Sequence, residues 1–436
     1  MNARILIFIA LLLRLPTAVG SEVWTLERAL QHALVHNPDA RIAQHRINLA
    51  QAQLAQANSA FWPRLQIQSS YTRTDNPMMA FGNILNQRSF DSSLNFNDVP
   101  ETDDINVRGL VTAPLYAGGR NTAERKAARS GTRAARFEEM AVRNVLEFEV
   151  VRAFHTILKS REFVRSADAS VRSLEVNLSV AQRRLEAGAL LKADLLDIEV
   201  RLAQVREELI RARNANALAE HALRNLLGLE TARDFSISDS LPTVTIPQSA
   251  GPERPELLAL RQREEAALSR IRGARSGYKP RLSAFGNVDY DYGTVTGNDG
   301  HSYAAGVVAQ WDLWDGFSTR SKISESEAHL ELLREEERKL RLAIELEIEQ
   351  ARLNLAAAGE RLAAMEKTVA QANESLALTR DRFEQGAALS SQLIDSESAL
   401  LDARVRRAEA HSDQWIAIAA LRKALALPQL DSNHSR

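Results

Sequence analysis

Hydrophobic and polar positions follow two rhythms along this chain. Over residues 65–72 the period is two: Leu65, Ile67, Ser69 and Tyr71 share one face, and Gln66, Gln68, Ser70 and Thr72 the other. Further on, Ile105, Val107, Gly109, Val111, Ala113 and Leu115 alternate with Asn106, Arg108, Leu110 and Thr112. The same rhythm returns with Leu282, Ala284, Gly286, Val288, Tyr290 and Tyr292, and again with Tyr303, Ala305, Val307, Ala309, Trp311 and Leu313. The faces opposite these two carry Phe285, Asn287, Asp289 and Asp291, then Ala304, Gly306, Val308, Gln310 and Asp312. The alternation predicts strands over about 64–74, 104–116, 281–293 and 302–314. At about 11–13 residues each they are long enough for a tilted membrane-spanning β-strand. Trp62, Tyr116, Trp311 and Trp314 stand near the ends, where an aromatic girdle belongs. A sheet on a soluble core would alternate in the same way.

Between the strands the rhythm is helical. A short helix over 25–37 with Thr25 as N-cap precedes one from about Asp39 to Phe61, stopped at Pro63. The longest helices, about 121–187 and 319–385, follow Gly118-Gly119 and Gly316. At 1.5 Å per residue each is on the order of 100 Å long. Return helices over about 192–227 and 390–427 keep a coiled-coil seam: Leu195, Ile198, Leu202, Val205, Leu209 and Ala212 advance by threes and fours, as do Leu174, Leu178, Ala181 and Leu185. Helices of this length do not persist alone in water, so they must pack laterally. Residues 74–104 read as a surface loop containing Met78-Met79.

The chain is an internal duplication. An offset of 198 positions pairs Leu115 with Leu313, Gly118 with Gly316, Glu147 with Glu345, Gly188 with Gly386, Asp197 with Asp395 and Leu227 with Leu425, without a gap. Upstream the offset is 217, pairing Pro38 with Pro255 and Pro63-Arg64-Leu65 with Pro280-Arg281-Leu282. The first copy thus carries 19 more residues between Leu65 and Leu115. Shared Pro and Gly punctuation argues for true repetition better than matches between Ala- and Glu-rich helices. The organisation expected is an export signal over 1–20, a first repeat over 21–229, a linker over 230–255 rich in Pro, Ser and Thr, a second repeat over 256–428 and a tail over 429–436.

Composition narrows the function classes. A net charge of −1 argues against a nucleic-acid binder, which would show a basic stripe. The absence of cysteine excludes disulfides, thiolate metal sites, Cys nucleophiles and lipid attachment through Cys. Arg4, the apolar run Ile5–Leu13 and the small residues Ala18-Val19-Gly20 read as a cleavable export signal; Arg14 interrupts the run well short of a spanning helix. His32 and His36, at i and i+4, and Met78-Met79 are the metal-ligand candidates, but the histidines lack the Glu of an H-E-x-x-H pattern and the methionines fall in the expected surface loop, so no metal site is assigned. No phosphate loop, dinucleotide fingerprint or nucleophile elbow appears, so neither enzyme nor cofactor is expected.

A repeated helix–hairpin–long helix–return helix, with a glycine at each helical tip, resembles the TolC-type outer membrane efflux family over nearly all of the mature chain. The specific pieces are Arg184-Leu185-Glu186-Ala187-Gly188-Ala189 through Asp194-Leu195-Leu196-Asp197, and Arg382-Phe383-Glu384-Gln385-Gly386-Ala387 through Gln392-Leu393-Ile394-Asp395. Pro63-Arg64-Leu65 before a strand and Leu115-Tyr116-Ala117-Gly118-Gly119-Arg120 after one also match. The resemblance implies an α+β membrane protein: a homotrimer whose chains give four strands each to a 12-stranded transmembrane β-barrel, continued by a coiled-coil tunnel through the periplasm. Four strands alone close no barrel, and open edges do not face lipid, so strands that span a membrane force oligomerisation.

The implied function is a passive exit duct in the outer membrane, part of a tripartite efflux or type I secretion system with a periplasmic adaptor and an inner-membrane transporter. Its tips, Arg183, Arg184, Gly188, Arg382 and Gly386, would dock the adaptor. Asp194, Asp197 and Asp395 would form an acidic constriction, with Gln392 where the first tip has Asp194. The alternative is a periplasmic coiled-coil scaffold with a small soluble β-domain and no pore.

Overall fold

The computed structural model describes residues 22–95, 97–229, 235–240, 242, 244–247 and 251–431. The expected export signal lies outside these residues. The chain forms two compact units, each assembled from both sequence repeats: one gathers residues through Ile42, Ala141–Arg254 and Ala343 onward, and the other Ala43–Met140 and Pro255–Leu342.

The second of these units contains the sheet. Strands β2 (Arg64–Thr74), β3 (Thr102–Ala117), β5 (Arg281–Tyr292) and β6 (Asp299–Gln310) pair antiparallel in the order β2-β3-β5-β6, so the two repeats meet at β3–β5. Register carries the alternation across the sheet. Ile67 faces Gly109, Gly109 faces Val288 and Val288 faces Tyr303 on one side; Gln68 faces Arg108, Arg108 faces Asp289 and Asp289 faces Ser302 on the other. A one-residue slip would exchange the faces of a strand. The single bulge comes at Pro114, whose nitrogen cannot donate to the ladder: register shifts between Pro114 and Tyr116. Strands β2 and β6 are the edges.

The segment expected as a loop over 74–104 is partly helical. Asn76 caps α3 (Pro77–Asn86) by accepting from the Met78 and Met79 amides, and Pro77 opens the first turn, where its missing N–H is not needed. Gln87, fully buried, holds the end of α3 to the sheet by donating to the Asp103 carbonyl at 2.6 Å and to Asp104 at 3.1 Å. Helix α6 (Pro255–Ala274) packs Leu260, Ala267 and Ile271 against Leu330 and Leu333 of α7 (Ser318–Glu384).

The other unit adds to its helices the strands β1 (Glu22–Trp24) and β4 (Phe235–Ile237), which pair in parallel. Thr25 caps α1 (Leu26–His36), its hydroxyl accepting from the Arg28 amide at 3.2 Å, and α2 (Pro38–Ser59) follows in sequence. The core here joins Leu26, Ala29, Leu30 and Ala33 of α1 to Val150, Phe154 and Ile157 of α4 (Arg120–Glu186) and Leu223 and Leu227 of α5 (Lys192–Leu227). Gly228, at φ +69°, ends α5 so close to the His36 carbonyl that a Cβ would stand 2.7 Å from its oxygen. The part of α7 from Ala343 onward and α8 (Ser390–Ala424) complete the unit, α4 and α7 being 67 residues each. The seam of the return helix is real: Ile198, Leu202, Val205 and Leu209 are all buried.

Candidate functional site

Two regions hold the candidate functional side chains. The first is the sheet, whose faces differ sharply in chemistry. Leu65, Ile67, Tyr71, Val107, Val111, Val288, Tyr303 and Val307 make one face exposed and apolar. The other is an ionic network: Arg108 pairs with Asp289, while Asn106 donates to Asp289 at 3.3 Å and to Asp291 at 2.9 Å. Both carboxylates are buried under these partners. An apolar belt on one side and hydrogen-bonded charge on the other is the arrangement of a strand between lipid and water. Trp62, Trp311 and Trp314, all exposed, stand at the same end of the sheet.

The second region is the pair of helical reversals. In the first, Gly188 has φ +71°, its amide bonds to the Leu185 carbonyl at 2.9 Å, and the Ala189 amide reaches the Arg184 carbonyl at 2.8 Å. In the second, Gly386 has φ +81°, bonding to Phe383 at 3.0 Å, and Ala387 reaches Arg382 at 2.7 Å. Both are left-handed glycine caps, which a Cβ would strain. Ala181, Ile198, Leu376, Phe383, Leu393 and Leu400 form a core directly behind them.

The structure sorts the sequence-nominated tip residues into engaged and open ones. Arg184 sits over the Phe383 ring, 5.0 Å from its centroid, donates to the Phe383 carbonyl and reaches the Ala189 carbonyl at 3.2 Å. It ties the two reversals together. Arg183 and Arg382 are exposed; Arg382 reaches its own reversal's Ala387 carbonyl at 3.5 Å. Asp194 accepts from the Ser390 hydroxyl at 2.6 Å, a further link between the tips. Gln392 accepts from the Leu389 amide at 3.2 Å, closing the first turn of α8. Asp197 and Asp395 are exposed.

Sequence reasoning missed the one carboxylate that is truly buried near the tips. Glu397, with its side chain 3% exposed, pairs with Arg380 at 2.9 Å and accepts from Asn177 at 2.9 Å and from Ser173. It thereby joins α4, α7 and α8. It also missed His155, buried on α4, stacked on Trp415 with ring centroids 5.3 Å apart and with no hydrogen-bond partner for Nε2. Burial, seconded by the charge of His411, lowers its pKa to about 4. Asp431, bonded to the Thr245 hydroxyl and amide and to Arg422, is held down to about 2. His32 and His36 stack with centroids 3.9 Å apart, and among the described residues no group of three or more His, Cys, Asp or Glu would hold a metal ion.

Comparison with known proteins agrees with this geometry. The model of the family described as outer membrane efflux protein matches residues 29–229 and 246–427. The chain is 23% identical over 418 residues to the pyoverdine export outer membrane protein OpmQ of Pseudomonas putida, spanning 92% of this chain and 85% of that one. It is 24% identical over 206 residues to the alkaline protease secretion protein AprF of Pseudomonas aeruginosa, a match that spans 47% of this chain and 39% of the relative's length. The fold is that of the outer membrane protein VceC from Vibrio cholerae, with a TM-score of 0.75 at 20% identity over 92% of this chain and 96% of that one.

Proposed function

Since the chain belongs to the outer membrane efflux protein family, we propose that three copies assemble into a single duct that an adaptor and an inner-membrane transporter complete on the periplasmic side. The protein is a channel of the outer membrane that extends into the periplasm, and it is not an enzyme. The observation that carries the trimeric reading is the four-stranded sheet with an apolar face, a charged face and two open edges, β2 and β6. Unpaired edge groups cost several kcal/mol each in hydrocarbon, so the edges must be closed by other copies. Three copies supply twelve strands, enough for a water-filled bore lined by Asn106, Arg108, Asp289 and Asp291.

The reversals at Gly188 and Gly386 form the periplasmic mouth in this reading. Exposed Arg183 and Arg382 offer donors to the adaptor, while Arg184 holds the docking surface in shape. Asp197 and Asp395, repeated in three chains, make rings of negative charge that favour cations at a narrow mouth, reinforced by Asp194 on the first tip, with Gln392 at the matching place on the second. Pyoverdine export and alkaline protease secretion, in the names of two relatives, both suit one passive duct whose pump chooses the cargo.

The sheet faces give the test. Val107→Arg or Val307→Arg on the apolar side should cost about 2–4 kcal/mol near the bilayer midplane and deplete heat-modifiable trimers from the outer membrane fraction. Asn287→Arg on the charged side should assemble normally. Equal assembly of all three variants would refute the barrel.

A further inference from the structure

The charged face of the sheet continues, at the end where the helices begin, into a cavity of about 800 Å³ between α4, α6 and α7. The alternation places it on the lumen side: Ala117 and Arg281 pair across β3 and β5 on the face opposite Tyr116 and Leu282, and both line the cavity. On α4 it is lined by Arg120, Glu124, Ala128 and Gly131, one helical face.

Its acids are engaged. Glu124 pairs with Arg120 at 3.0 Å, Asp312 with Arg281 at 2.7 Å, and Asp315 accepts from the Thr319 amide at 2.8 Å at the start of α7. Arg270 of α6 and Lys322 of α7, by contrast, are exposed, line the cavity and have no ion-pair partner among the described residues. The same two residues line an adjoining cavity of about 390 Å³ with Ser326, His329 and Glu325. Glu325 is the one acid there, against two open cations. Small residues on the walls, Ala128, Gly131, Gly273 and Ala274, leave room beside the two cationic heads.

We propose that Arg270 and Lys322 form a station in the lumen, at the junction of strands and helices, for the anionic groups of cargo: phosphates or carboxylates. The inference rests on the trimeric-duct reading, in which the pair becomes a ring of six cations. A guanidinium can grip an oxyanion through two parallel hydrogen bonds while the ammonium adds a mobile point charge. The station would draw anionic cargo past the acidic mouth and into the barrel, where the carboxylates of Asp289 and Asp291 are already occupied by Asn106 and Arg108.

The test uses the full-length protein in planar bilayers of phosphatidylcholine, with pyrophosphate as the soluble probe. Wild-type channels should be blocked in a dose-dependent way, and Arg270→Ser with Lys322→Ser should raise the half-blocking concentration at least tenfold while heat-modifiable trimers persist. Lys126→Ser with Arg129→Ser, on the opposite side of α4, should leave block unchanged. Conducting wild-type channels insensitive to pyrophosphate, or equally sensitive in the double variant, would overturn the station alone. Loss of block when phosphatidylglycerol is added would assign the pair to a lipid headgroup and overturn the cargo role. Absence of any conductance would overturn the duct and the station together.

Discussion

The two helical reversals share a backbone and differ in how their charged side chains are engaged. Gly188 and Gly386 stand 198 positions apart, both with positive φ and the same pair of closing hydrogen bonds. Yet Arg184 lies across the other reversal's Phe383, whereas its repeat counterpart Arg382 is exposed and reaches only its own turn. Glu397 is buried among Arg380, Asn177 and Ser173, while its counterpart Glu199 is exposed. The counterpart of Arg380 is Gln182. Duplication supplied two copies of one turn, and substitution around it made one hairpin reach across to the other. Glycine and the apolar core set the shape of a tip; polar side chains set how the tips hold each other.

That contrast can be broken most severely at Arg380. Arg380→Ala leaves the Glu397 carboxylate buried with only two neutral donors, and should destabilise the helical unit by about 3–4 kcal/mol. Gln182→Ala, at the equivalent exposed position, should stay within about 0.5 kcal/mol. Denaturant titration of the detergent-solubilised protein, followed by helical circular dichroism, measures both, and similar losses would erase the asymmetry.

The next largest effect is pH-dependent and contrasts His155, buried, with its repeat counterpart Leu353, which is 62% exposed. Burial lowers His155 to about 4, whereas an unfolded histidine titrates near 6.5. Between these values the unfolded chain binds more protons, so stability is full above about pH 6.5 and falls as the pH drops toward 4, by about 3 kcal/mol. The same titrations repeated from pH 7 to 4 should show that fall, flattened in His155→Gln; an unchanged slope in the variant would mean that other groups carry it. A smaller difference is expected between Arg184→Ala and Arg382→Ala. The first loses two carbonyl contacts and the stacking on Phe383 and should cost about 1–2 kcal/mol; the second should cost little.

Much of this architecture is legible in sequence because it rests on period and punctuation. Strand phase follows from alternation at Ile67, Gly109, Val288 and Tyr303, and register then carries it across the whole sheet. Tip glycines are legible because few other residues accept the left-handed turn. Helix α3 is less so: its cap and first turn, Asn76-Pro77, are a local signal, but the 19 residues that the first copy adds fall between Leu65 and Leu115, where no repeat counterpart guides the reading. Glu397 is invisible for a different reason. Glu199 carries the same letter at the same offset, and the burial of one but not the other depends on Ser173 and Asn177, which belong to a different helix and have Gln371 and Ser375 as counterparts. Periodicity likewise says nothing of whether the Nε2 of a histidine on a packed face finds a partner.

Single-channel recording from the purified protein tests the central claim, a conducting duct whose narrow mouth is built by the two tips. The account predicts discrete, uniform conductance steps for the wild type, and larger steps with weaker cation preference when Asp197→Ala and Asp395→Ala are combined. A wild-type protein that reaches the bilayer as an assembled particle and gives no steps would contradict it.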